Sequence, residues 1–322
     1  MGHIVQIKPA NFSLWVNDDE TVLDAALRQD IDFPYSCMSA ICSTCQGRVL
    51  EGKIEYGEVE PYGLEEEELA AGAALFCSAK PVTNLLIELE DFDSPLPTSN
   101  QEYHYQLAES HCLARNIYEF ILTPEDKELN FVPGQYLLLK IANKSYPFSI
   151  ANAPRTDKQI QLQIRINPED EFFQQLLQLA EKQGQVTLQG PSGHCVCVEG
   201  CDFPVILIAG STGFAQCKAL LEHLLENKHS SAIHFYWGVN DVAELYHDQL
   251  LKNWEKEYKN FHYTPVIASE GNFPHHYLEK EFSSLANHLL YCSGPQAMVD
   301  SVKKTSLDLC LSPHLFFSDF NN

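Results

Sequence analysis

The chain has 322 residues, 45% of them hydrophobic, and carries 44 acidic against 21 basic side chains for a formal net charge of −23. That length suits two or three domains, and no apolar run is long enough to span a bilayer. So acidic a chain argues against nucleic acid or an anionic membrane as partner, because binding phosphate takes a basic surface. Met1 to Ala10 lack the basic start and apolar core of a secretory signal, so the 11 cysteines are expected to remain thiols in a reducing cytoplasm.

The alternating segments Ile4 to Ile7 and Phe12 to Val16 flank Pro9 and Asn11 and predict a hairpin. Polar Asn17 to Glu20 then opens a helix with Val22, Leu23, Ala26 and Leu27 on its apolar face. Next comes the loop PYSCMSAICSTCQGRV, in which Cys37, Cys42 and Cys45 are separated by four and then two residues, with Cys77 further on in ALFCSAKP. C-x4-C-x2-C with a distant fourth cysteine is the spacing at which four thiolates hold a [2Fe–2S] cluster. Zinc sites instead pair C-x2-C with a second C-x2-C or H-x3-5-H, and no second pair follows. A strand at Arg48 to Leu50, an acidic helix at Glu65 to Ala71 and a strand at Leu85 to Leu89 complete a mixed domain over residues 1–94. Residues 1–94 hold 18 acidic and 5 basic side chains, a balance of −13, so a protein partner is expected to present a basic docking face. This succession resembles the β-grasp ferredoxin domain. Members of that family carry a glycine three residues after the first ligand, where this chain has Ala40. The glycine eases a tight turn, so Ala40 is expected to strain the loop or shift the potential without removing a ligand.

The polar run DFDSPLPTSN, Asp91 to Asn100, has two prolines and no periodicity, and reads as a linker cut at residues 95–100. From 101 to 200, short apolar runs at Tyr118 to Leu122, Tyr136 to Ile141, Ile160 to Ile166 and Gln185 to Leu188 predict antiparallel strands. FVPGQY at Phe131 to Tyr136 and YPFSIANAP at Tyr146 to Pro154 resemble the PGQY and R-x-Y-S markers of the ferredoxin–NADP reductase superfamily, whose flavin domain is an antiparallel β-barrel. The resemblance implies FAD bound around Tyr146, Pro147, Phe148, Ser149 and Ile150, with Phe148 lying on the isoalloxazine and Ser149 hydrogen-bonding near its N5. An aromatic plane and a small hydroxyl suit that task. Tyr146 occupies the family's arginine position, and a phenol lacks the charge and fork that grip a phosphate; Lys144 or Arg165 is the expected substitute. GPSG at Gly190 to Gly193 matches the turn closing the flavin domain. Cys195 and Cys197 point to one side of a strand and read as core residues.

From 201 to 322, strands alternate with helices, as in a parallel sheet with crossover helices. PVILIAGSTGFAQCKALLEHLL runs from an apolar strand through Gly210, Ser211, Thr212 and Gly213 into an amphipathic helix, placing backbone N–H groups where a pyrophosphate binds. It resembles the superfamily's G-G-T-G-x-A-P nicotinamide motif, with Ser211 and Gln216 replacing a Gly and the Pro. FYWG at Phe235 to Gly238 resembles the adenosine-side strand end. Asp241 follows with no nearby Lys or Arg, which favours NADH over NADPH. YCSGPQAM resembles C-G-P-x-x-M, so Ser293, Gly294 and Pro295 are expected beside the nicotinamide, with Ser293 in the Cys position and Cys292 one residue early. In relatives a C-terminal aromatic covers the flavin, and HLFFSD offers Phe316 or Phe317; packing for stability is the competing reading.

In order, these parts resemble the reductase components of multicomponent systems, such as those serving benzoate dioxygenase, methane monooxygenase or a deoxysugar dehydrase. The implied function is NADH-dependent electron transfer through FAD and the cluster to a separate acceptor protein. Two other readings stand beside it: a flavin reductase using weakly bound flavin as substrate, and a redox sensor that binds cluster and nucleotide without turnover. The thirteen histidines show no metal-ligand spacing.

Overall fold

The computed structural model describes residues 2–57 and 59–318. The chain divides into two units, Met1–Leu96 with Val198–Asp202, and Pro97–Cys197 with Phe203–Asn322. The segment Val198–Asp202, at the expected join of the second and third domains, thus groups with the first unit.

In the first unit the alternating segments form β1 (Gly2–Lys8) and β2 (Phe12–Asn17), antiparallel with Ile4 opposite Trp15. Helix α1 (Val22–Arg28) begins at Thr21, whose hydroxyl accepts from the Asp24 amide at 3.1 Å while the Asp24 carboxylate accepts from the Thr21 amide at 3.4 Å. This reciprocal cap satisfies two amides that the helix start leaves open. The chain continues through β3 (Gln46–Glu51), β4 (Ile54–Tyr56), α2 (Glu66–Ala70), β5 (Ala73–Leu75), β6 (Ala79–Pro81) and β7 (Leu85–Glu88). The main sheet runs β2-β1-β7-β3-β5, and β4 pairs with β6. Its core joins α1 to the sheet through Leu23, Phe33, Phe76 and Ile87, and extends to Ala40 and Cys45. The cysteine loop therefore rests on packed apolar side chains.

The second unit opens with β8 (Glu102–Ala114), β9 (Ile117–Pro124), β10 (Tyr136–Ile141), β11 (Lys144–Ser149), β12 (Ile160–Arg165), α3 (Glu171–Glu181) and β13 (Gln185–Ser192). Its sheet runs β11-β10-β13-β8-β9-β12, and a bridge between Ile150 and Leu162 joins the two ends into a barrel. Sequence reasoning left out β8 and α3. β8 is largely polar and half-exposed, and α3 buries only Phe172, Leu176 and Ala180.

The parallel sheet that follows comprises β14 (Val205–Gly210), α4 (Phe214–Glu226), β15 (Ile233–Val239), α5 (Asp248–Glu257), β16 (Phe261–Ile267), α6 (Pro274–Glu281), β17 (Leu289–Ser293), α7 (Gln296–Asp308) and β18 (Phe316–Phe317), in the order β16-β15-β14-β17-β18. Every residue of β14 is buried, as a central parallel strand covered on both faces requires. The order reverses direction about β14, which opens a crevice at the C-terminal ends of β14 and β17. Among the described residues, no helix is long and apolar enough to cross a membrane.

Candidate functional site

The cysteine loop is held in an unusual backbone shape. Met38, Ala40 and Ser43 take φ of 54°, 57° and 56°, a left-handed region that costs a residue bearing a Cβ about 1–2 kcal/mol. Ala40 is strained in this way, as its lost glycine predicts. The loop is tied down by the Gly63 amide donating to the Ala40 carbonyl at 2.9 Å and by the Ser43 hydroxyl donating to the Gly63 carbonyl at 2.7 Å. The same curl turns donors toward sulfur: the Ser39 amide lies 3.4 Å from Cys37 Sγ, and the Thr44 hydroxyl 3.3 Å from Cys42 Sγ. The Ser39 hydroxyl and the Ile41 amide lower the Cys37 thiol to about 5, whereas burial pushes Cys45 up to about 12. The Phe76 amide donates to the Cys45 carbonyl at 3.1 Å, which draws Cys77 to the loop. All four cysteines are free. Among the described residues no three His, Cys, Asp or Glu side chains converge as a single-ion site requires. A [2Fe–2S] cluster shares four thiolates between two irons, and this donor set fits it.

In the second unit, Phe148 and Ser149 end β11 at a cavity of about 210 Å³ that Thr212, Gly213, Ser293 and Gly294 enclose from the other side. Pro147 also lines it. Residues that the sequence assigns to two domains meet here. Gln163, also on the wall, was missed by sequence reasoning. It is buried, and its amide nitrogen lies 3.1 Å from both Glu119 Oε1 and His247 Nε2 while its oxygen accepts from the Tyr246 hydroxyl at 3.1 Å. Its only sequence signal is a glutamine on the face of β12 opposite the core residues Leu162 and Ile164. Ile150 is fully buried in the barrel core and is not among the residues lining this cavity. The PGQY and GPSG motifs belong together because Gln135, itself buried, donates to the Pro97 carbonyl at 2.9 Å and the Gly193 carbonyl at 3.3 Å. Gly134 admits no side chain, since a Cβ would lie 2.1 Å from the Cys195 carbonyl oxygen.

The ring end of this site fits a flavin: an aromatic face, a hydroxyl and a buried amide. The outer end is different. The Tyr146 hydroxyl donates to Asp170 Oδ2 at 2.8 Å, and Lys144 Nζ lies 3.4 Å from Asp170 and 3.7 Å from Glu171. The bond to Asp170 holds the Tyr146 phenol above its ordinary value. Arg165 turns the other way, to Ser211 Oγ at 2.9 Å and Glu244 Oε2 at 2.9 Å. Both expected cations thus stand against carboxylates, Lys144 at Asp170 and Glu171 and Arg165 at Glu244.

The nucleotide crevice, about 490 Å³, has Gly210, Ser211 and Pro295 at one end and Asn240, Phe273 and His276 at the other. No Lys or Arg is among its lining residues. Ser211 takes a φ of 54°, its carbonyl accepting from Trp237 Nε1 at 3.0 Å. Gly213 packs against β17 so closely that a Cβ would lie 2.1 Å from the Ser293 carbonyl oxygen. Asp241 caps the turn after β15, accepting from the Ala243 amide at 2.9 Å. Ser293 faces the flavin cavity, whereas Cys292 is buried behind it beside Cys217 with its thiol pushed up by burial. Phe316 does not line the flavin cavity; it pairs with Leu290 in the sheet, and Lys303 Nζ lies 5.8 Å from its ring. Phe317 stacks on Tyr291 at 4.8 Å. The tail from 319 onward lies outside the described residues.

Two buried side chains of α4 fasten barrel to sheet. Gln216, in the motif's proline position, donates to the Gly134 carbonyl at 2.6 Å. Lys218 donates to the Ala151 carbonyl at 2.9 Å and pairs with Glu222 at 2.6 Å, and Glu222 accepts from the Ala153 amide at 3.0 Å. The loop after YPFSI is thereby pinned to the helix that starts at the GSTG turn. A Lys and Glu four apart on an otherwise apolar helix face was the available signal.

A cysteine-loop unit, with a barrel and a parallel sheet that meet at one redox-sized cavity, defines an iron–sulfur flavoprotein oxidoreductase. Family models agree along the chain: the 2Fe-2S iron-sulfur cluster binding domain over residues 5–82, the oxidoreductase FAD-binding domain over 105–196 and the oxidoreductase NAD-binding domain over 207–304. The chain is 30% identical to the phenol hydroxylase P5 protein of Acinetobacter pittii, over 95% of this chain and 90% of that one. It is 26% identical to the CDP-6-deoxy-L-threo-D-glycero-4-hexulose-3-dehydrase reductase of Yersinia pestis, over 98% and 97%. The crystal structure of Amycolatopsis cytochrome P450 reductase GcoB matches with a TM-score of 0.65 at 26% identity, covering 98% of each chain. The chain belongs to this family of ferredoxin-reductase-type electron-transfer components, and its cofactors are a [2Fe–2S] cluster, FAD and NAD.

Proposed function

We propose that this chain takes hydride from NADH and delivers single electrons to a separate acceptor protein, an oxygenase or dehydrase component. The observation that carries this reading is the one cavity at which Phe148 and Ser149 meet Thr212 and Ser293, because hydride transfer needs flavin and nicotinamide face to face. Flavin takes two electrons from NADH and releases them singly, and the cluster carries one at a time. The chain's own part is positioning. Phe148 supports the ring and Ser149 offers a hydroxyl beside it. The GSTG turn presents amides at the start of α4, and Gly294 and Pro295 border the nicotinamide end. Cys37, Cys42, Cys45 and Cys77 hold the cluster. NADH is favoured over NADPH because a 2′-phosphate would find no cation in the crevice and the Asp241 carboxylate close by.

The working divisions are residues 1–94, a 95–100 linker, 101–200 and 201–322, in a cytoplasmic protein. On the first unit, Tyr35, Met38 and Ile41 of the cluster loop are 43%, 51% and 63% exposed. Glu68 of acidic α2 lies 3.3 Å from Gln46, just past the last loop cysteine. An apolar centre with an acidic rim suits an acceptor that presents a basic docking face. Anaerobic addition of NADH to the reconstituted protein tests the function: bleaching of the cluster's visible absorption along with that of flavin is expected. A cluster that stays oxidised while flavin is reduced would overturn the electron path.

A further inference from the structure

Beyond the flavin cavity β11 runs into a patch of net negative charge, in which Lys144 stands against Asp170 and Glu171. Tyr146 lies two residues from Phe148 on one face of β11, about 7 Å along the strand, and its hydroxyl is already committed to Asp170. Asp170 caps α3, its Oδ1 accepting from the Phe172 amide at 2.9 Å. That amide and the Tyr146 hydroxyl hold its carboxyl below the usual range, so it is ionised at neutral pH. Glu169 and Glu171 flank it in sequence. Lys144 is shared between Asp170 and Glu171, and Arg165 is bound to Ser211 and Glu244. Phe172 and Phe173 close on the Tyr146 ring with centroids 4.6 and 5.7 Å away. A flavin ring against Phe148 has the nucleotide loops on one side, so its ribityl chain runs the other way, along β11. Its phosphate then arrives among carboxylates, where the nearby cation, Lys144, is already placed between Asp170 and Glu171.

We propose that this site selects the isoalloxazine ring and disfavours the phosphate: Asp170, clasped to Tyr146, repels a phosphorylated tail, so FAD is held by its ring alone and exchanges with solution. The inference rests on the reading that Phe148 and Ser149 seat the flavin. One like-charge contact at about 4 Å in a water-like dielectric changes affinity by roughly five- to tenfold.

The test is binding of riboflavin, FMN and FAD to the full-length, flavin-free protein, followed by fluorescence. Riboflavin is expected to bind at least as tightly as FMN and FAD. Asp170→Asn removes the charge while leaving an equally good helix cap, and is expected to tighten FMN and FAD roughly five- to tenfold without changing riboflavin. FAD that binds tenfold tighter than riboflavin, or Asp170→Asn affinities that do not move, would overturn the proposal. Phe148→Ala separates the two readings: it should weaken all three flavins alike, and if it weakens none, the seating of the ring is what has failed.

Discussion

Replacing Lys218 by methionine removes the ammonium that pins the loop after YPFSI to α4, and keeps most of the apolar stem. The Lys218 side chain is 6% exposed and that of Glu222 21%. Deleting one partner of a buried pair costs about 3–5 kcal/mol because the other charge is stranded. Here Glu222 retains the Ala153 amide and some water, so about 2–3 kcal/mol is expected, with hydrogen bonds to charged groups worth ~1.5–3 kcal/mol each. For a cooperative unit of this size that is a fall in Tm of about 5–10 °C, measured by near-UV circular dichroism on the full chain. In the Lys218→Met, Glu222→Gln double variant no charge is stranded and the glutamine oxygen can still accept from Ala153, so about half the loss should return. A single variant that loses less than ~1 kcal/mol would mean that water screens the pair as on an open surface. A double variant less stable than the single would equally refute the clasp.

Gly213→Ala forces a methyl against the Ser293 carbonyl, 2.1 Å away, and neither loop can yield without reshaping the crevice. A loss of about 1–3 kcal/mol, together with a tenfold or greater rise in the Kd for NADH, is expected from unfolding and nucleotide titration; unchanged binding would separate the turn from the nucleotide. Burial lowers the pKa of His288, and burial together with nearby His262, ring centroids 5.0 Å apart, lowers that of His234. Both therefore bind a proton more readily when unfolded, so stability should fall as pH drops below the ordinary histidine value of about 6.5. The urea midpoint should be lower at pH 5.5 than at pH 7.5, and His288→Gln should flatten that slope; a midpoint that rises on acidification would reverse the sign of the reasoning.

What was legible in the amino-acid order is what acts over short range. Cys37, Cys42 and Cys45 sit within one loop, so their spacing alone constrains where the sulfurs point, and the GSTG turn between an apolar strand and an amphipathic helix needs only its neighbours to form. Ala40 could be read as a strained position because the need for a left-handed residue is a property of the backbone. The helix α3 carries a signal that was not used: Phe172, Leu176 and Ala180 recur at helical spacing behind the Asp170 cap. The partners of Arg165, by contrast, were not legible. Its proximity in sequence to the flavin motif says nothing of the partners it finds 46 and 79 residues away at Ser211 and Glu244.

The sequence by itself thus determined the three chemistries of this protein, because most of each ligand set is local: three of the four thiolates in one loop, an aromatic and a hydroxyl at a strand end, glycines at a helix start. Only the tertiary structure decided how the barrel and the sheet use them. It joined Phe148 and Ser149 to Thr212 and Ser293 across one cavity, buried Lys218 as the clasp, sent Phe316 into the sheet and turned Asp170 onto Tyr146. Except for Lys218 with Glu222, the partners lie 24 or more residues apart in the chain, so only the packing of barrel and sheet brings them together.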